Sequence, residues 1–199
     1  MLRALFAMGM VVVMAAADDK QASRALTEAE SRKPYVDALE TSPEFKKIAE
    51  RRNGTTMPLC QMVRLPAGKD KPEVVETLHF KYDEGVTIRT RIDAQKMIVL
   101  KTEKLRAYPT PLAAEELEKA VGLAREKSAP VNKIYGDAEG KPDVTALVPV
   151  ISDAMSPRFG HRLVILSVGP KPPADAKAPP GKRVTVEIDL TDGTVTDPV

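Results

Sequence analysis

Apolar and polar positions alternate at two periods along this chain, and the two periods follow each other twice. Residues 42–52 carry the helical one. Ser42 is a cap, Pro43 stands where a missing N–H costs nothing, and Glu44 suits the positive end. Phe45, Ile48 and Ala49 share a face, and Arg51, Arg52 and Asn53-Gly54 close the helix. Strand signals follow at 58–65, 74–82, 86–92 and 96–103. Leu78, Phe80 and Tyr82 alternate on one face, and Val86, Ile88 and Ile92 are expected on the same side. His79 is then expected to face solvent. The connections, such as Asp83-Glu84-Gly85, are too short for crossover helices, so the four strands predict an antiparallel meander.

The second pass opens at Thr110 as cap and Pro111 as first helical residue. Glu115, Glu116 and Glu118 lie toward the positive end, and Leu117, Ala120, Val121 and Ala124 form the apolar stripe. Strand signals then fall at 144–151, 162–168, 183–190 and 194–196, with Thr191-Asp192-Gly193 as the closing hairpin turn. Gly85, Ile92, Asp93 and Val99 recur at the same spacing as Gly181, Ile188, Asp189 and Val195. The reading is an α+β chain of two tandem units, residues 42–105 and 107–199, each one helix on a mostly antiparallel four-stranded sheet. The proline-rich segment 169–181 interrupts the second unit and cannot join its sheet.

Residues 1–17 have the pattern of an export signal: Arg3, an apolar run, then Ala15-Ala16-Ala17 before Asp18. The uncharged stretch is shorter than the roughly 20 residues a membrane-spanning helix needs, so no stable anchor is expected after cleavage. Residues 18–41 read as a polar leader with a short helical turn at 34–40. The expected location is secreted or periplasmic.

Composition narrows the function classes. Hydrophobic residues make up 43% and charged residues 29% of 199, and the formal net charge is only +2. That balance lacks the basic excess of a nucleic-acid protein. Aromatics at 4% without Trp argue against base or sugar stacking, and a single Cys allows no internal disulfide. Ser167-Val168-Gly169 lacks the first Gly of a nucleophile elbow, and Gly181-Lys182-Arg183 lacks the rest of a phosphate loop.

Residues 108–117 (Tyr108-Pro109-Thr110-Pro111-Leu112-Ala113-Ala114-Glu115-Glu116-Leu117), with Ala120-Val121, resemble the opening helix of the small N-terminal domains of copper amine oxidases. Residues 183–195, from Arg183-Val184-Thr185 to Asp192-Gly193-Thr194-Val195, resemble the hairpin that ends such a domain. The resemblance covers 108–199 and implies a cystatin-like fold, PepSY-like in shape. It implies no catalytic residue, because the oxidase site lies in a large separate domain with three His copper ligands, and this chain has only His79 and His161.

The local chemistry is sparse. Met57, Cys60 and Met62 bring thioether and thiolate, the donors that favour Cu(I), within one short segment; core packing is the alternative reading. On an unbroken strand Cys60 and Met62 share a face. Neither His79 nor His161 has a ligand at a metal-binding spacing. The expected function is therefore that of an exported, non-catalytic binding or accessory protein without a cofactor. It would contact another exported protein, not nucleic acid, through sheet edges or through the proline-rich loop at Pro172, Pro173, Pro179 and Pro180. A peptidase inhibitor or regulator of PepSY-like type is the alternative, and a small hydrolase assembled from scattered acids and His161 is a third.

Overall fold

The computed structural model describes residues 29–50, 55–67, 72–137, 141–171 and 182–197. Signal, Asn53-Gly54 stop, Gly181 and the four prolines of the 172–181 loop lie outside the described residues. The first half contains α1 (Ala29–Thr41), α2 (Pro43–Ala49), β1 (Leu59–Leu65), β2 (Val74–Lys81), β3 (Val86–Asp93) and β4 (Ile98–Leu105). The second half contains α3 (Ala114–Lys127), α4 (Ala129–Asp137), β5 (Asp143–Leu147), β6 (Leu163–Gly169), β7 (Val184–Asp189) and β8 (Thr194–Thr196). Each half thus has two helices followed by a four-stranded sheet in chain order, and every adjacent pair is antiparallel. The fold is α+β, as the alternation of periods predicts.

Several local readings need correction. The polar leader is helical from Ala29, and α1 contributes Tyr35, Ala38 and Leu39, buried at helical spacing, to the first core. The second half also has a second helix, α4, whose first turn is capped at Ser128: its Oγ accepts the Val131 N–H and pairs with Asp197. Helix α2 begins as expected, with Ser42 Oγ accepting from Phe45 N at 3.2 Å. Helix α3 begins three residues later than Pro111. Its first-turn carboxylate, Glu116, accepts the Ala113 N–H at 2.9 Å, while the Thr110 hydroxyl bonds that of Thr87.

Val86, Ile88 and Ile92 share the helix-covered face, but β2 turns the opposite face to it from the one expected. Across β2 and β3, Val75 pairs with Ile92, Thr77 with Thr90, His79 with Ile88 and Lys81 with Val86, and this is the row that the helices cover. His79 is buried against the Phe45 ring at 5.5 Å between centroids. Leu78 and Phe80 point the other way, and Tyr82 packs on the core of the second half. Both faces of β2 are covered, so alternation alone could not tell the helix side from the other.

The recurrence of Ile-Asp and Val is a recurrence of geometry. Ile92 faces Val99 and Ile188 faces Val195. Asp93 Oδ1 accepts from Gln95 N at 2.9 Å and Lys96 N at 2.8 Å, and Asp189 Oδ1 accepts from Thr191 N at 2.9 Å. The Asp93 carbonyl takes the N–H of Met97 (φ 53°) and the Asp189 carbonyl that of Gly193 (φ 75°). One residue before β2, Glu73 O accepts from Ala94 N; one before β6, Arg162 O accepts from Leu190 N.

Candidate functional site

The two halves meet where the loop before β6 crosses the outer face of β2. Gly85 (φ 59°) and Gly160 (φ 82°) touch backbone to backbone there, and a side chain on Gly85 would overlap the Gly160 carbonyl. Two residues on, the Arg162 guanidinium is enclosed. Its Nε donates to Glu116 Oε1 at 3.0 Å and its Nη2 to Oε2 at 2.9 Å, a bidentate pair. The remaining donors reach Thr110 O at 2.8 Å and Pro111 O at 2.6 Å, and the fork lies 4.7 Å from the centre of the Phe80 ring. Tyr82 Oη donates to Glu116 Oε1 at 2.7 Å.

This network is built for cohesion. Burial pushes the Glu116 carboxyl upward, but Arg162, the Ala113 N–H and the Tyr82 hydroxyl more than offset it, leaving the group below its usual range. Burial lowers Arg162, and Glu116 reverses that to a net rise. Both stay charged. The ion pair lies within the second half, and the first half reaches it through the Phe80 ring beneath the guanidinium and the Tyr82 hydroxyl on Glu116, so these two contacts join the halves.

Cys60 borders the same network. Its Sγ lies 3.5 Å from Pro58 O, 3.6 Å from Glu116 Oε2 and 3.7 Å from Arg162 Nη2. Burial, reinforced by the Glu116 charge, pushes the thiol up to about 12, so it is a protonated donor and a poor nucleophile. The expectation that Cys60 and Met62 share a face fails for a physical reason. Cys60 is the extra residue of a bulge between Leu59 and Gln61, which flips the strand beyond it. Met62 is buried in the first core, Met57 packs on that core, and the thiol faces the second half. The soft-donor set is therefore divided between two faces.

The sheet edges differ in what they expose. Edge β1 is half-buried along its length and bulged at Cys60; edge β8 has three residues. Edge β5 has five residues, with Arg183 laid across Asp143 and Thr145. Edge β4 has eight, is bulged at Leu100, and carries exposed apolar residues at and just before its start: Met97 is 37%, Ile98 50% and Leu100 46% exposed. Farther along β4, Glu44 of α2 accepts from Thr102 N at 3.4 Å and covers that part of the edge. The open part is residues 98–101. Sequence alternation identified β4 as a strand but gave no sign of which edge was left open.

No family model matches this chain, and no curated protein matches it.

Proposed function

We propose that this chain is an exported, non-catalytic binding protein that takes an extended, apolar segment of a partner protein along the open start of β4. The observation that carries the reading is the exposed run of Met97, just before the edge strand, and Ile98 and Leu100 on it, where the strand is elsewhere covered. An edge strand offers unpaired N–H and C=O groups, and natural sheets normally protect such edges with charge, brevity or cover. Here the apolar side chains stand beside the free backbone, which is the arrangement strand addition uses. Export rests on the signal pattern of residues 1–17. No described helix is long and apolar enough to cross a membrane.

The likeness to the cystatin-like N-terminal domains of copper amine oxidases belongs to this proposal. Support comes from a helical layer on a four-stranded antiparallel sheet, built twice. It implies an accessory module rather than an enzyme.

The test is selection of short extended peptides against the full chain, followed by hydrogen exchange on the complex. Protection of the amides of 98–101, and a loss of about tenfold or more in affinity on Ile98→Lys and on Leu100→Lys, is the expected result. Protection elsewhere, or unchanged affinity in either variant, overturns the reading.

A further inference from the structure

We propose that His161, Asp189 and Asp192 form a binding site for a divalent transition-metal ion of the zinc type. The three come from separate places: the loop before β6, the end of β7 and the hairpin turn that follows it. Their ligating atoms all lie within 4.8 Å of one another, with His161 Nδ1 2.6 Å from Asp189 Oδ2. Around a four-coordinate zinc, bonds of about 2.0–2.2 Å place ligand atoms roughly 3.4 Å apart. The close pair must open by less than about 1 Å and Asp192 must close by about 1 Å or a little more, shifts within reach of side-chain rotation. Asp192 is exposed and free to make the larger one.

The two carboxylates are already oriented by bonds they would keep. Asp189 Oδ1 holds the Thr191 N–H at 2.9 Å, leaving Oδ2 for the ion, and Asp192 Oδ1 holds the Thr194 N–H at 2.9 Å. The ion would take the Nδ1 lone pair of neutral imidazole, whose single N–H then sits on Nε2. Two carboxylates balance the double charge. An imidazole with two carboxylates suits zinc, cobalt or manganese and is a poor set for calcium, which takes oxygen donors only. A polar cavity of about 180 Å³ adjoins the two aspartates, with Thr194 and Thr196 on its wall, and has room for the waters that complete the shell. Among the described residues the one cation lining it, Arg158, is tied to Glu187 at 2.6 Å.

The first half supplies an internal control. The same turn there, built on Asp93 with the same backbone bonds, has Pro72 in the place of His161 and Lys96 in the place of Asp192. The turn therefore folds without either side chain, and those two residues are surplus to its architecture.

The experiment is calorimetric titration of the chelator-stripped full chain with zinc chloride, with the visible absorption of added cobalt as a second readout of a nitrogen–oxygen shell. Asp192→Asn and His161→Gln are titrated alongside. Asp192→Asn keeps an oxygen for the Thr194 N–H and leaves the buried Asp189 untouched, so it tests the site even if His161→Gln lowers the melting temperature. One ion per chain, with affinity falling about tenfold or more in both variants, is the expected result. Absence of stoichiometric binding, or wild-type affinity in either variant, overturns the proposal.

Discussion

Matched through their ladders, the helix-facing row of β2 reads Val75, Thr77, His79 and that of β6 reads Val164, Leu166, Val168, every one of them buried. The strand beside each differs the same way, with Thr90 in β3 where β7 has Val186. One backbone plan thus surrounds two cores of different polarity. The second is apolar throughout this row. The first encloses a Thr77 hydroxyl and a His79 Nδ1 that have no hydrogen-bond partner among the described residues. Leaving a buried polar group unpaired costs about 1–3 kcal/mol, so the first core is the weaker and the only one of the two rows with a titratable imidazole. The residues just ahead of β2 and β6 diverge as well. Glu73 pairs with Arg64 in the open, whereas Arg162 pairs with Glu116 in the junction.

The largest effect should come from breaking that last contrast. The side chains of Arg162 and Glu116 are 3% and 4% exposed, against 42% and 33% for Arg64 and Glu73. Glu116→Ala leaves an enclosed guanidinium without its carboxylate and should cost about 3–5 kcal/mol, whereas Glu73→Ala should cost about 1 kcal/mol or less. Urea unfolding of the two variants measures both. Equal costs would mean that solvent reaches the junction and that the Arg162–Glu116 pair is not enclosed there.

A second contrast is titratable. Burial lowers His79 from 6.5 to about 4, so the folded chain keeps it neutral while the unfolded chain protonates it. Between those values the unfolded state binds more protons, so stability rises with pH. The contribution is fully present above pH 6.5 and is lost as pH falls toward 4, about 3 kcal/mol in all. His79→Val installs the residue found at the matching place in β6 and should flatten this part of the profile. A variant that keeps the wild-type slope between pH 4 and 6.5 would assign it to other groups.

Most strands, the two-fold plan and helices α2 and α3 were legible because each rests on local chemistry: alternation, Ser42 with Pro43, and Asp-containing turns. What was not legible depends on what covers a surface. Leu78, Phe80 and Tyr82 look like a core row, yet Phe80 and Tyr82 serve the contact between halves, while the polar-looking Thr77, His79 and Lys81 lie beneath α1 and α2. Glu116 reads as a charge favoured by a helix N-terminus, and so it is. Its burial depends on Arg162, far away in sequence, and no local pattern announces that partner. The bulge at Cys60 has no Gly to mark it, and it alone turned the thiol from Met62. Helix α4 carries a local signal in Ser128 followed by Pro130, a cap and a proline in the first turn. His161 and Asp189 met only through the ladder of β6 and β7.

The smallest prediction concerns the two turns, where the halves differ by one residue in a left-handed position. Met97 adopts φ 53° and Gly193 φ 75° at the same step after the turn aspartate. A left-handed conformation costs a residue with a Cβ roughly 1–2 kcal/mol, and glycine little. Glycine gives part of this back through the freedom it adds to the unfolded chain. Met97→Gly should therefore stabilise the first half by about 0.5–1 kcal/mol, since the Met97 side chain is itself exposed and surrenders little packing. Gly193→Ala should cost about 1 kcal/mol, and the cost is conformational alone, because no atom stands within 4 Å of where the added methyl would lie. Opposite shifts in melting temperature would show that the two turns are one design filled in two ways. If Met97→Gly instead lowers the melting temperature while peptide binding at β4 also falls, the Met97 side chain contributes to the apolar run at that edge and its strained backbone is held for that contact.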